Sequence, residues 1–568
     1  MDLRELVLRD RCTWPVRLTR QRWRRRYQNR HSNGYTFIRP FHVLDFDALR
    51  QYAGVGEREL SSHRAVLLVC EDDWKSEAMT TDTHLRRTKI VATLGPATDA
   101  PGMLERILAE GVDVVRLNLS HGQSDDHRAR AVAVRKAAEK VGREVGILAD
   151  LQGPKIRVER FANGPIELRD GDPFVLDCRA DAPPGDTTRV GVSYLGLPQD
   201  VNAGDVLLLD DGLVALTVLE VVGAEVRCQV LIGGRLSDRK GLNRQGGGLS
   251  VSALSEKDKA DIKLAAEIGA DFLAVSFVRS GADMDLARKL LHEAGGNASL
   301  VAKIERADAI PVLGEIIDAS DVVMVARGDL GVEIGDAELP GLQKKIIREA
   351  VQRNRAVITA TQMLQSMVKS PIPTRAEVLD VANAVIDGTD AVMLSEESAA
   401  GAHPDKAVAA LRRICLGAER QFEPKEDLST AGHRLDRTDQ AIAKAAMLLA
   451  SEVGVRAIVA LTESGATAQW LSRYRSAVPI YALSPFDDAR RRMLVLRDVQ
   501  PVKFTHDTLN PAVSAREAVR QLFAMGKLAD GDRVVLTHGD HIGRGGGTNT
   551  LKLLSVGTEG MVESLRDL

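Results

Sequence analysis

Short runs rich in Val, Ile, Leu and Ala recur eight times, at 89–94, 112–117, 145–150, 271–277, 300–304, 322–326, 357–361 and 390–394, with amphipathic helical stretches between most of them. Strand-like runs that alternate with helical ones are the pattern of βα units building a parallel sheet. Eight such units predict an α/β fold with a closed (β/α)8 barrel of the TIM type. Helix starts are readable in the spacing. Ser255-Glu256-Lys257-Asp258 and Thr374-Arg375-Ala376-Glu377 each set an acid three residues after a hydroxyl cap.

The alternation breaks between 157 and 250, where strand-like runs such as 206–209 and the alternating Val226, Cys228 and Val230 follow one another without helices. This predicts an antiparallel β-rich insert. Asp211-Gly212 reads as a hairpin turn within it, because glycine accepts the positive φ that such a turn needs. After Pro424 the alternation restarts, with strands expected near 457–461, 480–483 and 534–537, so a separate C-terminal α/β domain follows. The expected organisation is an N-terminal extension (1–86), a first part of the barrel (87–156), the β-rich insert (157–251), a second part of the barrel (252–424) and the C-terminal domain (425–568).

At 568 residues the chain exceeds what one hydrophobic core supports. A net charge of -3 gives no electrostatic footprint for nucleic acid or an anionic membrane, which leaves small-molecule chemistry as the expected class. The cysteines (Cys12, Cys70, Cys178, Cys228, Cys415) are scattered without metal-ligand spacing, which suits a reducing, cytoplasmic setting. No run reaches the ~18 to 20 apolar residues that span a bilayer, and none has the order of a signal peptide. Residues 1–86 differ in composition, with Trp14, Trp23, Trp74 and the run Arg22-Trp23-Arg24-Arg25-Arg26. They read as a poorly ordered extension, or as sequence before a start at Met79, in preference to a basic arm for an anionic partner.

Barrel enzymes place reacting groups at the C-terminal ends of strands. Here those ends are polar. The second run leads into Arg116-Leu117-Asn118-Leu119-Ser120-His121-Gly122, and the third into Asp150-Leu151-Gln152-Gly153-Pro154-Lys155-Ile156-Arg157. The fifth carries Lys303-Ile304-Glu305, the sixth Arg327-Gly328-Asp329-Leu330-Gly331, the seventh Thr361-Gln362-Met363, and the eighth ends at Ser395. Residues two apart on a strand share a face, so Lys303 and Glu305 point the same way, with Asp329 on the neighbouring strand. Two hard carboxylates with few other protein ligands suit magnesium, and a lysine beside them suits a migrating phosphoryl group. An ion-paired cluster without function fits Glu305 and Asp329 equally well when they are taken alone. Gly328 and Asp329 stand where a strand enters a helix, so their N–H groups could hold a substrate carboxylate.

Thr88-Lys89-Ile90-Val91-Ala92-Thr93-Leu94-Gly95-Pro96-Ala97-Thr98, the 116–122 run, Met324-Val325-Ala326-Arg327-Gly328-Asp329-Leu330-Gly331-Val332-Glu333 and Ala360-Thr361-Gln362-Met363-Leu364 together resemble the pyruvate kinase family. The resemblance runs from Thr88 to Thr548-Asn549-Thr550 and includes the insert after the third strand. It implies transfer of the phosphoryl group of phosphoenolpyruvate to ADP, giving pyruvate and ATP. Lys303 would neutralise the phosphoryl in flight, Glu305 and Asp329 would hold magnesium (or manganese), and Arg116 would bind the phosphate. Gly328, Asp329 and Thr361 would hold the carboxylate, and Thr361 and Ser395 would lie on the path of the proton that reaches carbon. Asn118, His121, Arg157 and Lys240 match positions near the nucleotide, and the insert would be a lid.

Lys155 stands where better-known members have glutamate, so the chain resembles the potassium-independent branch, although Asn118, Ser120 and Asp150 could still form a monovalent-cation pocket. Thr462, Ser464, Gly465 and Thr467 lie in a hydroxyl-rich loop similar to the family's effector phosphate loop; an ordinary helix cap is the alternative there. The resemblance further implies a homotetramer. A different enolate-handling metal enzyme and a catalytically silent, metabolite-sensing paralogue are the competing readings; the second should have lost Lys303 or a metal carboxylate.

Overall fold

The computed structural model describes residues 85–421, 435, 437–474, 478–505, 510–540 and 547–563. The expectations for the first 84 residues, including the tryptophans and the arginine run, lie outside them. Strands β1 (Lys89–Thr93), β2 (Val114–Asn118) and β3 (Gly146–Asp150) open the chain. The insert follows as β4 (Ile166–Leu168), β5 (Pro173–Asp177), β6 (Arg189–Gly191), β7 (Val206–Leu209), β8 (Val214–Val222), β9 (Glu225–Ile232), β10 (Gly234–Leu236) and β11 (Leu242–Arg244). Then come β12 (Phe272–Val275), β13 (Ser299–Ile304), β14 (Val322–Ala326), β15 (Ala356–Ala360) and β16 (Ala391–Leu394). These five join the first three in a closed parallel barrel, in the order β1-β16-β15-β14-β13-β12-β3-β2. Every barrel run expected from the sequence is a strand.

The helix starts also form as the spacing predicts. Ser255 accepts from the N–H of Asp258, and Thr374 from that of Glu377, while each acid reaches back to the cap. Each box satisfies two backbone donors that the first helical turn leaves free.

The insert packs its own core around Phe174, Leu176, Leu207, Leu216 and Val226. Its main sheet runs β11-β7-β8-β9-β5-β6, beside a ribbon of β10 and β4. One detail corrects the expectation of a purely antiparallel, helix-free segment: β5 and β6 pair in parallel, and a short helix covers Leu197–Asp200. The β7–β8 hairpin turns at Asp210, Asp211 and Gly212, all at positive φ.

The C-terminal domain holds a sheet ordered β19-β18-β17-β20-β21-β22, from β17 (Ala457–Leu461), β18 (Ile480–Ser484), β19 (Val499–Lys503), β20 (Arg533–Gly539), β21 (Thr548–Val556) and β22 (Val562–Glu563). The sequence reading found β17, β18 and β20 and missed the rest. β19 carries Pro501, which belongs on an edge strand, and β19 is an edge.

This domain closes the floor of the barrel, the end where the strands begin. Barrel-interior side chains such as Val91, Leu148, Phe272, Met324 and Ile358 form one buried cluster with Ala443, Met447, Leu471 and Leu494 of the C-terminal domain. Around that cluster runs a repeated polar device. Asp113, Asp271, Asp321 and Asp390 each precede an even-numbered strand of the barrel, and each carboxylate accepts the N–H of a residue on the odd-numbered strand before it: Ile90, Ile147, Leu300 and Val357. Arginines cover the other side: Arg86 on Asp113, Arg135 and Arg491 on Asp271, Arg288 on Asp321, and Arg473 on Asp390. Arg473 and Arg491 come from the C-terminal domain, so the bonds that set strand register also dock the second domain.

Candidate active site

At the opposite end, the mouth, β13 delivers Lys303 into a ring of acceptors. Its Nζ lies 2.9 Å from Glu305 Oε1 and 3.3 Å from Asp150 Oδ1, and donates to Ser276 Oγ at 2.7 Å. Burial alone would lower the Lys303 ammonium, but Asp150 and Glu305 outweigh it and hold the group above its ordinary value. The lysine therefore stays charged at neutral pH.

Asp150 is shared. Arg116 Nε reaches its Oδ2 at 2.6 Å while Arg116 Nη1 donates to Thr93 Oγ1 at 3.1 Å. Burial pushes the Asp150 carboxyl up, and Lys303 and Arg116 more than offset that, so it stays below the usual carboxylate range. Glu305 moves the other way: burial raises it, Lys303 pulls it back, and the charge of Asp329 raises it further. Its second oxygen accepts the N–H of Phe277 at 2.8 Å. Glu305 and Asp329, close enough for the charge of one to raise the other, form a hard-oxygen donor set. Among the described residues no group of three or more His, Cys, Asp or Glu side chains makes a fuller metal cage. A two-carboxylate set completed by substrate oxygens is the arrangement that magnesium favours.

Asp329 opens the helix Arg327–Ile334, which begins directly where β14 ends. Lys155 Nζ lies 3.0 Å from its Oδ1. The Gly328 N–H donates to Thr361 Oγ1 at 2.8 Å, and that hydroxyl donates to Ala360 O at 2.6 Å. The structure thus brings Arg116, Asp150, Lys303 and Glu305 together, and Lys155, Gly328, Asp329 and Thr361 beside them. Asn118 Oδ1 accepts the Ser120 N–H at 3.2 Å, and Asp150 turns to Arg116 and Lys303.

Among the nucleotide candidates, Arg157 donates to Arg239 O at 2.8 Å and Lys240 Nζ pairs with Asp210 Oδ1 at 2.8 Å, both at the root of the insert. His121 is exposed on the loop after β2, its carbonyl bonded to the His127 ring at 2.9 Å. In the C-terminal domain, Thr462 Oγ1 accepts the Gly465 N–H at 3.0 Å and Thr467 Oγ1 bonds Thr548 Oγ1 at 2.6 Å, while Ser464 is exposed.

Sequence reasoning missed Ser276 and Thr93, the hydroxyl partners of Lys303 and Arg116, because it did not read the ends of the first and fourth barrel strands. The rule that strand ends carry the chemistry would have found both. It also missed Asp258, a fully buried carboxylate that accepts the Gly153 N–H at 3.0 Å and so anchors the loop carrying Lys155. That acid looked like a helix cap, which it also is.

The family model for the pyruvate kinase barrel domain matches residues 85–408, and that for the pyruvate kinase alpha/beta domain matches 440–554. Pyruvate kinase II of Salmonella typhimurium is 54% identical over 481 residues, 83% of this chain and 99% of the relative. The pyruvate kinase of Haemophilus influenzae is 52% identical over 466 residues, 80% of this chain and 96% of the relative. A crystal structure of a pyruvate kinase from Cryptosporidium parvum superposes with a TM-score of 0.78 at 33% identity, covering 83% of this chain and 96% of that one. With both domain models matched, and relatives aligned over nearly their whole length, this chain belongs to the pyruvate kinase family.

Proposed function

We propose that the mouth of the barrel carries out the pyruvate kinase reaction with Lys303 as its central charge. One observation supports this above the others: a buried, protonated lysine is held between Asp150 and Glu305 by ion pairs and by Ser276, and Asp150 also pairs with Arg116. Fixed charge of this kind is what phosphoryl transfer needs, since the chemistry is mostly positioning and neutralisation. Arg116 binds the phosphate of phosphoenolpyruvate. The Gly328 and Asp329 N–H groups and the Thr361 hydroxyl hold its carboxylate. Glu305 and Asp329 would hold magnesium, or manganese, which prefers the same oxygens. The ion, when bound, would supply positive charge that stabilises the phosphoryl transfer. Asn118, His121, Arg157 and Lys240 face the nucleotide, and the insert shields the reacting groups from water. Once the phosphoryl has left, Thr361 and Ser395 pass a proton to the enolate carbon.

Members of the family usually use potassium as well. Lys155 supports independence from it here, because its ammonium already stands 3.0 Å from Asp329 and places a fixed positive charge at the site. Pyruvate formation with magnesium, with potassium present or replaced by tetramethylammonium, tests both points. Turnover without potassium that disappears in Lys303→Met is the expected result. Lys155→Glu is expected to create a potassium requirement, and equal rates for that variant in both salts would remove the role given to Lys155.

The loop of Thr462, Ser464, Gly465 and Thr467 takes a phosphorylated effector. A half-saturating phosphoenolpyruvate concentration indifferent to sugar phosphates and nucleoside monophosphates would set that aside. The proposal extends to a homotetramer acting in the cytoplasm, and a light-scattering mass other than four chains would set the tetramer aside.

A further inference from the structure

We infer that Glu333 is a positioning residue for the divalent-ion site: its buried side chain ties the turn that follows Glu305 to the helix that carries Asp329. The inference rests on the reading of those two carboxylates as the metal donors. The ladder between β13 and β14 ends at the pair Ile304 and Val325, so the sheet itself does not set Glu305 against Asp329, which both lie beyond it. There the turn and the helix are joined by Glu333, whose Oε2 accepts the N–H of Ala307 at 2.8 Å. Glu333 is buried and stands four residues after Asp329 in the helix Arg327–Ile334, so the two acids share a face.

The same residue takes hold of the insert where its chain returns to the barrel. Glu333 Oε1 accepts from Asn243 Nδ2 at 3.4 Å, and Glu333 O accepts the N–H of Gly246 at 2.9 Å. The turn after Glu305 grips that return segment from its own side. Asp308 Oδ1 accepts the Gly248 N–H at 2.9 Å, and Arg306 Nη2 donates to Leu249 O at 2.6 Å. Three segments distant in sequence thus meet at one side chain. Its charge is not what joins them: Arg306 pairs with Asp308, and the bonds to the Glu333 carboxylate come from neutral donors. Reach matters instead. A glutamine keeps it, since its oxygen accepts from Ala307 while its NH2 donates to Asn243 once that amide turns over to present its own oxygen. An aspartate keeps the charge but is one methylene too short to serve both donors.

The test sets reach against charge. Binding of Mn2+ to the full chain is followed by the electron paramagnetic resonance of the free ion, beside thermal unfolding. Glu333→Asp is expected to raise the Mn2+ Kd on the order of 10-fold or more, the usual effect of losing a group that orients metal ligands. Glu333→Gln should stay within about twofold of the wild type, because its bonds are rebuilt. Ala307→Pro deletes the N–H that Glu333 accepts, at the first position of a helical turn where proline fits, and should weaken Mn2+ as the aspartate does. That variant carries the comparison if Glu333→Asp does not fold. Weaker binding in the glutamine variant than in the aspartate variant would make charge the operative property and overturn the proposal. Equal Kd values throughout, or losses that merely follow Tm, overturn it as well. Asp329→Asn in parallel guards the underlying reading: wild-type Mn2+ binding in that variant removes the metal site itself, whatever Glu333 does.

Discussion

The two ends of the barrel are both lined with charge, and they use it in opposite ways. At the floor, Asp113, Asp271, Asp321 and Asp390 are each met by a backbone N–H and by at least one arginine. At the mouth, Glu305 is pushed up by burial and by Asp329, and one lysine serves two carboxylates. Backbone strain divides in the same way. Left-handed residues near the floor are Asn354 and Asp498, whose short polar side chains tolerate that conformation. At the mouth they are Phe277, Thr361 and Gln362, where each such residue costs about 1–3 kcal/mol. At the floor each carboxylate has its own backbone and arginine partners, while at the mouth Lys303 is divided between two carboxylates beside a strained backbone.

Paired substitutions put this contrast at risk. Lys303→Met should lower turnover by at least about 10³-fold, the scale of losing an electrostatic stabiliser. The fold should survive, because Glu305, already raised, can take up a proton; steady-state kinetics beside circular dichroism reads both. Asp390→Asn should do the reverse. Arg473 would be left buried without its partner, at a cost of about 3–5 kcal/mol in denaturant unfolding, while turnover per folded molecule holds. Comparable activity losses in the two variants would erase the distinction between the ends.

Asp498 is the exception at the floor, and it sharpens the rule. It is buried, neither carboxylate oxygen has a hydrogen-bond partner among the described residues, and burial raises it to about 6 despite Arg497 and Arg87. A carboxyl raised in the folded state lends its full stability below the unfolded value near 4 and loses it as pH rises through 6. Asp498→Asn should therefore raise stability at pH 7.5 by on the order of 2–3 kcal/mol and leave it nearly unchanged at pH 4. A Tm difference between variant and wild type that does not grow across that window would contradict the assignment. The smallest effect belongs to the exposed pair of Arg128 and Glu267. Arg128→Ala should leave the denaturant midpoint close to that of the wild type, and any difference should vanish in high salt.

Much of this was open to the sequence. The period of two placed Lys303 and Glu305 on one face, the capping boxes at Ser255 and Thr374 marked their helices, and the resemblance supplied the reaction. What stayed hidden depends on folding in three dimensions. Asp150 serves Arg116 and Lys303, Asp258 anchors Gly153, and Glu397 reaches Leu364, across separations that no local pattern records. Strand β21 was missed because its residues are half-covered and do not alternate cleanly. The floor repeat was legible and went unread: Gly111-Val112-Asp113-Val114-Val115, Gly269-Ala270-Asp271-Phe272-Leu273, Ala319-Ser320-Asp321-Val322-Val323 and Gly388-Thr389-Asp390-Ala391-Val392 share one aspartate register.

That repeat divides the barrel into four strand pairs, each latched at its own base. The pair β3–β12 is the one that the insert interrupts, and its latch, Asp271 to Ile147, joins residues 124 apart in sequence. Closing a loop costs free energy that grows only with the logarithm of its length. The latch is therefore nearly indifferent to how much chain lies between its two halves. A barrel assembled from separately fastened quarters can acquire, exchange or lose an entire domain at one seam while the other three keep their geometry.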